Sequence, residues 1–523
     1  MNVEIAVKKP DVRAIAAASV GILRAGQAGN IEEAIHLALP HISYAADFPR
    51  LAQVSLQAFL RGHRNDVATQ LVDNVVAQGH ASPEVAVLAI RHLVSTDRAG
   101  EAYTFARALL EGNGKVEPRL AEAAARAALA SEKPVSEALE ILENAKSVAG
   151  NDGIFLRAYG ELLLSVGRYA EAVDVLAPIV SMRPNTTNTR LLLARALKHA
   201  HRFEEACTEM LTVVKLDPSV TNTRSAVASL LQVGREAEAK QLYGAMVSER
   251  QNKLTTTFSA GLAALDARLD EVKLPQRRLD WAWEIVSQKL GHSPSPRRED
   301  WDRRAKWGHL LDKLIQDWLE CSIDQAGEIA HFFDVSEANR NTVIEASDEG
   351  KGVLLVSAHI GPMFAGPVAI HSFGKPYRWL SSTPRISTTS FANTLISTAD
   401  LNEVQVARCV IDSLRAGCLV TLAADGAMSP NAPRIIWEGK SITYSPFCAM
   451  LSYKTKVPTI FTSPFWAENQ FRFVVKRLPT ADAGEGLRQF SSRWQQAFFE
   501  EVKNVLVTGP ENLRLNGGLW RNI

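Results

Sequence analysis

Apolar positions in the first half of the chain recur at helical spacing and arrive in paired runs. Residues 155–184, "FLRAYGELLLSVGRYAEAVDVLAPIVSMRP", predict two amphipathic helices and a proline stop. Residues 191–218, "LLLARALKHAHRFEEACTEMLTVVKLDP", repeat the plan. Ala172 and Ala206 lie 34 positions apart, as do Pro184 and Pro218. Ala34, Ala68, Ala102 and Ala138 extend the spacing backwards with one interval of 36, and Ala239 follows after 33. Alanine recurs where two helices cross closely, because a larger side chain would push them apart.

A unit that buries its apolar stripe only against the next unit makes a stacked array. This pattern resembles the tetratricopeptide repeat family. The resemblance implies a helical superhelix over residues 1–265 that holds a protein partner. Histidines such as His63, His80, His92, His199 and His201 are scattered through it and form no cluster.

After about residue 266 the pattern changes. "LDWAWEIVSQKLG" and "RREDWDRRAKWGHLLDKLIQDWLECS" keep helical periodicity without the repeat spacing. Trp281, Trp283, Trp301, Trp307 and Trp318 crowd together there. Two readings stay open for residues 266–350: a lipid-interface segment or the core of a helical docking region.

From 351 to 523 short apolar runs take over: "GVLLVSAH", "GCLVTLAAD", "VPTIFTSPFW" and "FRFVVKRLP". Helical stretches such as "NEVQVARCVIDSLRAG" and "LRQFSSRWQQAFFEEVKN" alternate with them, which predicts an α/β sheet. Ligand chemistry in such sheets gathers at the carboxyl ends of strands. His359 and Asp425 each stand just after an apolar strand.

Charge sharpens this picture. The whole chain carries a formal +1, but residues 351–523 hold 18 Lys plus Arg against 11 Asp plus Glu. That part suits an anionic substrate, an anionic membrane surface or an acidic protein, and nothing points to nucleic acid. Five cysteines without CxxC or zinc spacing fit a reducing, cytoplasmic setting. No signal-peptide core and no run of 18 apolar residues is present, so a peripheral rather than spanning relation to the inner membrane face is expected. No G-x-G-x-x-G follows a strand, and neither a phosphate loop nor a G-x-S-x-G nucleophile turn occurs.

The segments "GKGVLLVSAHIGPM", "SLRAGCLVTLAADG", "WEGKSITYSPFCAMLSYKTKVPTIF" and "ENLRLNGGLWRNI" occur in that order. Together they resemble the lysophospholipid acyltransferase-like superfamily, in its lipid A biosynthesis (lauroyl/myristoyl) branch. Relatives in that branch look like enzymes that acylate the lipid anchor of a capsular polysaccharide. The resemblance implies an α/β acyltransferase-like core over 351–523. It also implies transfer of an acyl group from acyl carrier protein or acyl-CoA to a glycolipid or saccharide hydroxyl, with no bound cofactor and no metal.

On this resemblance His359 is the general base. The acid expected five residues on falls on Phe364, so the carboxylate must come from elsewhere. Asp425 is the first candidate, with Glu438, Asp400 and Glu403 behind it. The Gly361 N–H is a candidate oxyanion donor. Arg378, Arg385, Arg434 and Arg514 are candidates for phosphate or carboxylate contacts, with Lys440 and Tyr444 lining the substrate. Met363, Phe364, Phe447 and Met450 are candidates for an acyl groove. The missing acid also supports a second reading: a non-catalytic assembly protein, binding lipid or a complex through a repeat scaffold and a degenerate acyltransferase domain.

Overall fold

In the computed structural model the described residues are 11–112, 117–290, 297–321, 326–385, 393–399, 401–427 and 432–523. The chain divides into two compact units, Met1–Leu216 and Asp217–Ile523.

The first unit is built of helix pairs, for example Gly153–Ser165 with Tyr169–Met182 and Thr187–His199 with Phe203–Leu216. Its first helices often start on a capped or proline-led turn. Ser82 accepts the Val85 N–H ahead of Pro83, and Asp152 accepts those of Ile154 and Phe155. The repeating alanine is the fourth residue of each second helix. Ala34, Ala68, Ala102, Ala138 and Ala172 have no exposed surface, and Ala206 has 4%.

Small residues elsewhere in the seam work in the same way. A Cβ on Gly160 would come within 2.7 Å of Leu176. Three of the second helices also open on a recurring ion pair: Arg98 with Glu101, Arg168 with Glu171, Arg202 with Glu205. These pairs are largely exposed and contribute little, so the buried alanine seam does the holding.

The second unit opens on one more such pair, Val220–Gln232 and Glu236–Gln251, with Ala239 again fourth and fully buried. The Trp-rich segment folds as helices Gln276–Leu290 and Arg298–Cys321. Trp281, Trp301 and Trp318 are at most 5% exposed. These three are core residues, so the lipid-interface alternative falls for them.

Nine strands follow among the described residues: β1 Phe333–Asp334, β2 Val353–Ser357, β3 Tyr377–Ser381, β4 Leu395–Ser397, β5 Leu419–Ala423, β6 Arg434–Trp437, β7 Lys440–Thr443, β8 Thr459–Ala467 and β9 Gln470–Arg477. Seven of them form one mixed sheet in the order β1-β9-β8-β2-β5-β3-β4, and β6 and β7 form a separate hairpin. β8 and β9 are antiparallel, whereas β2 runs parallel to both β5 and β8. All five residues of β2 are buried, which is why this central strand reads as an apolar run from Val353 to Val356, closed by Ser357.

The closed seam leaves no room for a larger side chain. Ala172→Leu forces extra volume into a closed crossing and is expected to destabilise the helical unit by about 1–3 kcal/mol in urea unfolding. The exposed neighbour Ala170→Leu is the control and should be near neutral.

Candidate functional site

Register brings the two strand-end residues together. Ser357 of β2 pairs with Ala423 of β5, and His359 and Asp425 each lie two residues further on. His359 Nδ1 is 2.9 Å from Asp425 Oδ1, and the His359 backbone N–H donates to the same oxygen at 3.0 Å. The carboxylate is fully enclosed, while the imidazole side chain keeps 26% of its surface open.

Asp425 has a further task. Its Oδ2 accepts the backbone N–H of Leu519 at 2.7 Å. The Trp520 indole N–H donates to the His359 carbonyl at 2.7 Å. The segment 517–522 is thereby laid directly over the pair. Only glycine fits under it: a Cβ on Gly518 would come within 2.0 Å of Asp425 Oδ2, and one on Gly517 within 2.6 Å of the His359 ring. Both glycines have positive φ. Asn522 extends the attachment, donating to Thr443 Oγ1 and accepting from Arg434.

Burial alone would raise the Asp425 carboxyl. The His359 imidazole, their hydrogen bond and the N–H groups of Leu519 and His359 outweigh burial and hold it below the usual carboxylate range.

A second polar group stands beside this one. Arg514, held at φ 57°, pairs with Asp312 at 3.2 Å and lies over the Phe364 ring, 5.3 Å from its centroid. Burial pushes the Asp312 carboxyl up, against the pull of Arg514, His309 and His359. Burial also pushes the His309 imidazole down. Phe364 therefore serves as the face on which an arginine rests.

The other residues singled out in the sequence are dispersed or already engaged. The Gly361 N–H donates to the Asn512 carbonyl at 2.7 Å, which removes it as an oxyanion donor. Met363 follows in the same turn, its N–H bonded to the Gly361 carbonyl. Arg434 is spent on Ser441 across the hairpin as well as on Asn522. Tyr444 bridges to Asp425 through backbone and sets its ring edge on Phe499; burial pushes its phenol up.

Lys440 begins β7, and Phe447 and Met450 lie on helix Phe447–Thr455. Arg378 donates to the Asn393 carbonyl, and Arg385 is exposed beyond β3. Among the weaker carboxylates, Glu438 pairs with Lys503 at 2.6 Å and Glu403 is exposed in the first turn of its helix. Asp400 lies outside the described residues.

Sequence reasoning missed Asp312, His309 and the Gly517–Trp520 cover. The available signal was two polar residues, His309 and Asp312, three apart among Leu310, Leu311 and Leu314 of one helix. Among the described residues no group of three or more His, Cys, Asp and Glu is placed to hold a metal.

The chain is similar to a protein named for polysaccharide export. The Vi polysaccharide export protein VexE of Salmonella typhi is 33% identical over 367 residues, covering 70% of this chain and 55% of that protein. The chain thus spans about half the length of the curated relative it matches. No family model matches the chain.

Two solved structures overlap the helical repeats. MamA residues 41-end from Desulfovibrio magneticus RS-1 is 14% identical, with TM-score 0.30, over 33% of this chain and 97% of that one. YrrB, a tetratricopeptide repeat protein with an unusual peptide-binding site, is 19% identical, with TM-score 0.28, over 32% and 84%. At those scores neither carries weight; the repeat plan rests on the helix pairs themselves.

These findings correct the acyltransferase resemblance. The matching curated protein is named for export, and no family model supports the lipid A branch. The enzyme assignment, the acyl-CoA or acyl carrier protein donor and the acyltransferase-like name for the sheet are withdrawn with it. A histidine paired with a carboxylate also anchors structure, and here the carboxylate is shared with a covering segment.

Since the Asp425 carboxyl titrates lower folded than unfolded, its charge stabilises above its unfolded value of about 3.9. That stability is lost as pH falls through the lower folded value. Asp425→Asn should cost roughly 1–3 kcal/mol at neutral pH, the range for weakening hydrogen bonds to a buried charged group. The gap to wild type in urea unfolding should close in acid; a gap independent of pH would rule out the charge as its source. Gly518→Ala should expose the covering segment to protease at neutral pH.

Proposed function

We propose that the protein is a non-catalytic assembly component of polysaccharide export. The helical repeats hold a protein partner, and the α/β unit holds a glycolipid or saccharide terminus of the exported polymer. The observation that carries this reading is the 33% identity to a polysaccharide export protein over 70% of the chain.

The repeats are consistent with protein contacts, since arrays of this kind expose extended surfaces rather than enclosed pockets. In this reading the protein works peripherally at the inner face of the cell membrane. No described helix is long and apolar enough to cross a bilayer. The His359–Asp425 pair serves the assembly by fixing the segment that covers it.

The test is deletion of the gene followed by complementation, with surface and internal polysaccharide measured separately. Deletion is expected to trap polymer inside, and the wild-type gene to restore export. His359→Asn keeps a donor facing Asp425 but has no basic nitrogen, and should restore export to the wild-type level. Unimpaired export in the deletion strain would overturn the proposal, as would a covalently altered glycolipid whose formation requires His359.

A further inference from the structure

A cleft of about 300 Å³ opens in the second unit, lined by Trp307, Trp466, Arg303, Arg304, Asn469 and Glu511 among others. Its size is at the small end of ligand sites and suits one ring-sized group. We infer that this cleft binds a neutral pyranose ring. The choice of a saccharide rests on the export reading, while the site itself rests on its own geometry.

The walls are built rather than incidental. Trp307 and Trp466 pack on each other, ring centroids 5.6 Å apart at 44°, so that the half-buried Trp307 indole is backed by the buried Trp466. Flat aromatic faces take the C–H side of a sugar ring, which is apolar while its rim is polar. The Trp466 backbone is fixed by Asn512: its backbone N–H donates to Asn512 Oδ1 at 2.6 Å, and Asn512 Nδ2 donates to its carbonyl at 3.1 Å. Gly308 lets the turn carrying Glu511 close onto the helix, since a Cβ there would come within 2.0 Å of the Glu511 carbonyl.

The polar groups select the ligand. Arg304 donates to Glu511 Oε1 at 2.6 Å. Glu511 Oε2 is buried with no hydrogen-bond partner, on a side chain only 6% exposed. A buried acceptor without a donor is costly and is relieved by a hydroxyl group. A ligand carboxylate would bring a second acceptor to the same oxygen. Arg303 faces Asp266 at 3.5 Å, so the rim carries balanced charge. An aromatic wall, a bare carboxylate acceptor and an arginine beside it together match a hydroxylated, uncharged ring.

Saturation-transfer NMR and calorimetry on the full chain test this, with methyl β-glucopyranoside, N-acetylglucosamine and glucuronate as probes. The neutral sugars are expected to bind and glucuronate to bind less. Trp307→Leu and Glu511→Gln should each weaken binding by about tenfold, with unfolding midpoints measured alongside to confirm folded protein. Absence of binding by both neutral sugars overturns the inference, as does preference for glucuronate, or binding that two folded variants leave unchanged. The export assay separates the two proposals. Lost export on deletion without sugar binding removes the cleft alone; sugar binding that these variants weaken, with export unaffected by deletion, removes the export reading alone.

Discussion

One buried carboxylate organises the α/β unit. Asp425 sits where β5 leaves the sheet and cannot be stripped of partners without leaving a charge in an enclosed site. It takes the backbone and ring of His359 on one oxygen and the Leu519 N–H on the other. The turn after β2, the turn after β5 and the covering segment are therefore one electrostatic unit. Glycine at 517 and 518 follows from that demand, because no side chain fits between the carboxylate, the imidazole and the chain above them.

The same arrangement explains why the pair does not define a reaction. An imidazole beside a carboxylate is found wherever a tautomer has to be fixed, whether for proton transfer or for anchorage. Here the Gly361 N–H is already committed to Asn512, and the position that could have carried a second carboxylate holds Phe364, on which Arg514 rests. The one curated relative described above is named for export, and the site geometry is that of an anchor for the covering segment.

Legibility followed the range of the interactions. The alanine seam is a local packing rule repeated many times, so it was plain in the sequence and is buried as the spacing demanded. Apolar runs foretold β2, β5, β8 and β9, the long or central strands; β1, β3, β4 and the hairpin β6–β7 are short or half exposed and carry no such signal. Asp425 was legible because parallel register places equal offsets side by side. Asp312 was not, since its partner Arg514 lies about two hundred residues away and only folding joins them. The tryptophans misled for a related reason: their helical spacing looks the same whether the indoles face lipid or a protein core.

The strand order has a consequence for the chain as it emerges from the ribosome. Helix pairs in the first unit close with sequence neighbours and can form as soon as they are made. β2 cannot, because one neighbour in the sheet, β8, is synthesised about a hundred residues later. Until then four consecutive apolar residues with strand propensity, Val353 to Val356, keep one edge unpaired. Those are the residues a chaperone would be expected to shield, and a pause in translation between β2 and β8 would leave the nascent chain most prone to aggregate.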